Sequence, residues 1–147
     1  GLRYFNVFGR KQNPEGAYAA AIPKFVTAFM NHTSPTIHGD GTQTRDFTYI
    51  DNVIQANELA ATTTNVDALN QVYNVACGEE TVLNDLINQI KTLLTHFDPK
   101  IDNVSPLHIA ERTGDVRYSL ASIDKAKRYL GYKPSHTFSE GLKEAIE

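Results

Sequence analysis

The chain holds one cysteine, Cys77, in 147 residues. It cannot close an internal disulfide, which fits a reducing compartment. No apolar run approaches the length of a membrane span. No charged-then-apolar segment reads as a secretion signal. A cytoplasmic place and no membrane partner are therefore expected. Positive charge is not in excess: 14 Lys and Arg stand against 17 Asp and Glu, for a net charge of −3 and a pI near 5.9. Without a basic stripe, nucleic acid is not an expected partner. Repeats, low-complexity stretches and long linkers are missing. The five histidines, His32, His38, His96, His108 and His136, show no metal-ligand spacing, so no metal site is expected. The carboxylates are scattered and suggest no glycosidase pair.

What is present reads as one soluble α/β domain. Hydrophobic residues make up 41% and charged residues 21%, enough for one real core. Gly1–Phe8 opens inside an apolar run without a start methionine, and the chain closes in the first turns of a helix; both ends read as cut. Leu2–Val7 and Val72–Ala76 look like fully buried strands of a parallel sheet. Ile22, Phe25, Val26, Phe29 and Met30 fall at helical spacing, with Pro23 near the start. Thr42–Tyr49, after the Gly39-Asp40-Gly41 turn, alternates like part of a hairpin. Asp51 and Thr81 are candidate caps for the next two helices. The second of these has Leu83, Leu86, Ile87, Ile90 and Leu94 on one face. Ile123–Leu130 reads as a helix closed by Gly131. Thr137 and Glu140 have capping-box spacing, with Leu142, Ala145 and Ile146 on the apolar face behind them.

Five segments carry a resemblance over nearly the whole chain. They are Arg3-Tyr4-Phe5-Asn6-Val7-Phe8-Gly9; Ala20-Ala21-Ile22-Pro23; Gly39-Asp40-Gly41 with Arg45-Asp46-Phe47-Thr48-Tyr49-Ile50-Asp51; Tyr73-Asn74-Val75 with Thr81; and Arg112-Thr113-Gly114-Asp115-Val116-Arg117 with Leu130-Gly131-Tyr132. In order and spacing they resemble the C-terminal, substrate-binding part of extended short-chain dehydrogenases/reductases, the NAD-dependent epimerase/dehydratase family. The likeness is strongest to UDP-N-acetylglucosamine 4-epimerases. It implies an α/β fold whose residues 1–147 form a nucleotide-sugar-binding part, with strands belonging to a truncated Rossmann sheet. Family members bind NAD on a glycine-rich turn and react through a Ser/Thr with a Tyr-x-x-x-Lys pair. This chain has no such glycine pattern. Its one spacing match, Tyr129 and Lys133, falls beside Gly131 and Pro134 and reads as chance. The NAD-binding part and the catalytic residues are thus expected upstream of residue 1, with Tyr4 the one residue put forward for cofactor contact.

The resemblance also implies ligand roles. Arg45 and Arg112 match the phosphate-binding arginines, whose planar forks suit a diphosphate. Asn6 and Asp115 match polar contacts to substrate and ribose. Ala20 and Ala21 begin a helix lining the site, and Thr36 and His38 flank the uracil. Ser119 matches a gate beside the sugar, where a small residue leaves room for a 2-acetamido group. The expected activity is that of a fragment of an NAD-dependent UDP-hexose C4-epimerase, acting on UDP-GlcNAc and UDP-GalNAc within a homodimeric parent. The isolated chain would be inactive. A nucleotide-sugar 4,6-dehydratase, a decarboxylase, a uronate epimerase, or a noncatalytic binding or assembly module remain open alternatives.

Overall fold

A computed structural model describes residues 1–15 and 21–147. Among these residues are eight short strands and five α-helices. Strands β1 (Leu2–Tyr4) and β2 (Val7–Phe8) flank Asn6, whose φ of 34° breaks them apart. Asparagine tolerates this left-handed region better than most residues. Helix α1 (Ala21–Met30) follows, then β3 (Thr36–His38), β4 (Thr44–Arg45) and β5 (Thr48–Tyr49). Next come α2 (Ile50–Thr62), β6 (Tyr73–Val75), β7 (Thr81–Val82) and α3 (Leu83–Thr95). The chain closes with β8 (Leu107–Ile109), α4 (Asp124–Leu130) and α5 (Phe138–Ile146).

Pairing is long-range throughout. β1 runs parallel to β6, β2 parallel to β5, and β3 parallel to β8. β4 lies antiparallel to β7. The expected parallel pairing of the first and sixth strands is therefore present. The expected hairpin-like unit of Thr36–His38, the Gly39-Asp40-Gly41 turn and Thr42–Tyr49 is not, because β3 pairs with β8, β4 with β7 and β5 with β2.

Two hydrophobic clusters form the interior. Phe8, Phe25, Phe29, Leu86, Ile90 and Leu142 belong to the first, enclosed by α1, α3 and α5. Val53, Tyr73, Val75, Ile123 and Tyr132 belong to the second, beneath α2 and α4. Each fully buried side chain of this size contributes roughly 1.5–3 kcal/mol. Of the apolar faces read along α1 and α3, Ile22, Phe25, Phe29, Leu86, Ile87, Ile90 and Leu94 are buried, whereas Met30 at the end of α1 is 63% exposed.

Several local expectations need correction. Leu2–Val7 is not fully buried: Arg3 and Tyr4 are exposed, because β1 pairs on one side only among the described residues. Val72 is 45% exposed, though Val75 and Ala76 are fully buried. Neither Asp51 nor Thr81 is a cap. The N-cap positions are Tyr49 and Val82, neither with a side-chain cap bond; Asp51 sits within the first turn and Thr81 within β7. The capping box of Thr137 and Glu140 is formed as expected. Gly131 closes α4 with φ 69°, a conformation costly for residues with a Cβ. Gly141 lets α5 approach closely: an added Cβ would lie 2.5 Å from Tyr49 Cβ.

Candidate functional site

The wall of the site begins with α1, one face of which is committed to the first core. Lys24 and Ala28 border a cleft of about 510 Å³, and Phe25 forms part of its floor. That volume lies within the range of small-molecule sites. β3 supplies Thr36 and His38, and β4 supplies Arg45. The turn after β8 brings Arg112 and Asp115 to the mouth, where Asp115 N donates to Arg112 O at 3.1 Å. Asn6 completes the lining from the β1–β2 break. A smaller pocket of about 80 Å³ continues from it beside Asp40 and Arg117.

Arg45 is held in place by its neighbours. One terminal nitrogen donates to Thr44 O and Val116 O, and the other to Asp115 Oδ1. A guanidinium has five N–H donors, so two are left over from these three bonds. The ion pair with Asp115 positions the fork without exhausting it. Arg112 is exposed and makes no ion pair among the described residues. His38 Nδ1 donates to Ala110 O at 3.3 Å, and Gln43 Nε2 donates to His38 O at 2.7 Å. Asn6 Nδ2 donates to Asp46 O at 2.9 Å. Arg117 ties the outer turn to Asp40 at 3.8 Å. Asp40 is held below the usual carboxylate range, chiefly by the Thr42 hydroxyl.

Behind the cleft, the fully buried Asp46 carboxylate accepts from the main-chain N–H of Cys77, Gly78 and Ala121 at 3.0, 3.1 and 3.3 Å. Burial pushes its pKa up, and the three amides pull against that shift. Cys77 is also buried, and its thiol is pushed up to about 12. A thiol so hard to ionise is a poor nucleophile.

Folding thus gathers Asn6, Ala21, Thr36, His38, Arg45, Arg112 and Asp115 at one cleft. Ala20 lies outside the described residues. Ser119 is half-buried in the irregular segment before α4 and does not line the cleft. Tyr4 is away from it too, its hydroxyl bonded to Asn57 Oδ1 at 3.1 Å. Sequence reasoning passed over Lys24 and Gln43. Lys24 precedes Phe25 in the helix, and its helical position relative to Ala21 and Ala28 was the available signal.

Residues 1–76 match the family described as NAD dependent epimerase/dehydratase. Among solved structures, the chain is 39% identical to a UDP-N-acetylglucosamine 4-epimerase from Methanobrevibacter ruminantium in complex with UDP-N-acetylmuramic acid. That likeness has a TM-score of 0.85 and covers 99% of this chain and 44% of the other. A UDP-glucose 4-epimerase from Thermotoga maritima with UDP-glucose gives 35% identity and a TM-score of 0.85, over 99% and 43%. A curated UDP-glucuronate 4-epimerase from Thermodesulfobacterium geofontis is 32% identical over 99% of this chain and 41% of its own length. The chain therefore spans less than half the length of these relatives.

Proposed function

The chain belongs to the NAD dependent epimerase/dehydratase family, and from that premise we propose that residues 1–147 are the nucleotide-sugar-binding part of an epimerase. The observation that supports this most is the cleft itself. Arg45, Arg112 and Asp115 come from distant segments and share one mouth with Asn6. Among the described residues, the cations Lys24, Arg45 and Arg112 line the cleft, and Asp115 is the one carboxylate. That balance suits a diphosphate, with Asp115 also able to accept from a ribose hydroxyl. Thr36 and His38, which line the same cleft, are proposed to flank the base.

The reaction proposed for the whole enzyme is C4 epimerisation of UDP-GlcNAc and UDP-GalNAc in the cytoplasm. NAD would supply reversible hydride removal. The 147 residues offer NAD no glycine-rich turn, and their one Tyr-x-x-x-Lys spacing, Tyr129 to Lys133, runs across Gly131, so NAD binding is assigned to the rest of the enzyme. The residues present orient the sugar nucleotide and neutralise its phosphates. Ser119 is proposed to leave room at the sugar, acting from outside the cleft lining.

The test is calorimetry of this chain with UDP, beside an epimerase assay. Binding that weakens about tenfold or more in Arg45→Ala is expected, as for loss of a charge-assisted contact, with no turnover. Epimerisation by the purified chain overturns the assignment of the chemistry elsewhere. UDP binding unaffected by Arg45→Ala overturns the site. A second reading, a UDP-uronate substrate, is favoured by Lys24, a cation beyond the two arginines. Tighter binding of UDP-glucuronate than of UDP-glucose, abolished in Lys24→Ala, would replace the first reading.

A further inference from the structure

The histidines show no ligand spacing along the chain, yet folding places one of them in a mixed donor cluster away from the cleft. Asp51 in the first turn of α2, His136 just before α5, and Glu144 within α5 offer donor atoms all within 4.8 Å of one another. His136 Nε2 stands 3.1 Å from Glu144 Oε1.

The surroundings of His136 hold it in place. Asn52 is fully buried. Its Oδ1 accepts from the main-chain N–H of Ser135 at 2.8 Å and of His136 at 3.1 Å, and its Nδ2 donates to His136 O at 2.8 Å. Ser135 Oγ lies 2.9 Å from His136 Nδ1. With the main chain and Nδ1 held in this way, Nε2 is the ring nitrogen that faces the Glu144 carboxylate.

The cluster sets two carboxylates, Glu144 and Asp51, beside one imidazole, and Asp51 makes no ion pair with Lys or Arg among the described residues. Arg10 does not neutralise Glu144, since its Nε donates to the main-chain oxygen of that residue at 2.7 Å. The Tyr49 hydroxyl donates to Glu144 Oε2 at 3.3 Å, turning Oε1 toward His136. The Tyr49 ring packs 5.0 Å from the imidazole and shields one side.

We infer that Asp51, His136 and Glu144 bind a divalent transition ion of the zinc type, through one imidazole nitrogen and two carboxylate oxygens. This donor set suits such ions, which hold nitrogen and oxygen at roughly 2.0–2.2 Å. Ser135 orients the ring as outer partners of metal-bound histidines do. Asp51 and Glu144 are exposed, so an ion enters directly from solvent. Bound there, it ties the start of α2 to α5. The inference is independent of the nucleotide cleft.

Calorimetric titration with Zn²⁺ and visible absorption with Co²⁺ test it on the whole chain. One ion per chain is expected. Affinity should fall at least about tenfold in His136→Gln and in Glu144→Gln, and stay unchanged in His32→Gln, which alters another His–carboxylate pair. Asp51→Asn, at an exposed position, should weaken binding while the far-ultraviolet circular dichroism stays native; this guards against a misfolded His136 variant. If no stoichiometric ion binds, or if the variants bind as the parent does, His136 and Glu144 form an imidazolium–carboxylate pair only and the proposal fails.

Discussion

The two hydrophobic clusters differ in what covers them. The first is covered by α1, α3 and α5, and Phe29 and Leu86 within it are fully buried. The second is roofed by α2 and α4 but ends at β1, where Tyr4 is 49% exposed. The cleft belongs to the first, since Phe25 and Phe47 are both core and cleft lining. The shape of the cleft therefore rests on the first core, while the second presents an unpaired strand edge among the described residues. Such an edge is a template for pairing with other chains.

The contrast can be broken first at its strongest point. Phe29→Ala should cost about 3–5 kcal/mol, read by denaturant unfolding. A loss below about 1 kcal/mol would mean that the first cluster is looser than its burial implies. Asp46→Ala comes next, because this carboxylate joins β4 and β5 to the segments after β6 and before α4. Leaving three inward amides without their acceptor should cost about 2–4 kcal/mol. Thiol labelling checks it independently: Cys77, pushed up to about 12 by burial, should react very slowly in the parent and faster in the variant.

Smaller effects sharpen the comparison at the periphery. Thr137→Ala should cost about 1 kcal/mol through the lost cap. Its partner Glu140 is held below the ordinary carboxylate value, chiefly by the Thr137 main-chain N–H. A carboxylate depressed in the folded state stabilises above its unfolded value, and that stabilisation fades as pH falls through the folded one. Stability of the parent and of Glu140→Gln should therefore converge in acid, as measured by thermal unfolding across pH. Tyr4→Phe, at the open edge, should change stability by less than about 0.5 kcal/mol.

Helices were the legible part of this fold. Ile22, Phe25 and Phe29 recur at one face, and Gly131 and the Thr137–Glu140 box mark ends by local chemistry. Strands were not, because an apolar run such as Leu2–Val7 shows that a segment seeks cover and not whether cover is supplied. Thr42–Tyr49 suggested a hairpin, since alternation does not name a partner. Asp51 and Thr81 are cap-type residues, one placed past the helix start and the other before it. Arg45, Arg112 and Asn6 were named through motif context, which carries spatial information that composition lacks, and they line one cleft. The Asp51–His136–Glu144 cluster escaped because its members meet only after folding.

The strand pairings carry a kinetic consequence. Leu2 pairs with Tyr73, Val7 with Thr48, Thr36 with Leu107, and Thr44 with Val82. Each ladder closes a long loop before any of its hydrogen bonds form, and none is a hairpin that zips from a turn. The entropy of closure is spent early and recovered late, which slows the search for the native state. Such a chain should refold over milliseconds to seconds, with α1 and α3 flickering into shape well before any two strands meet.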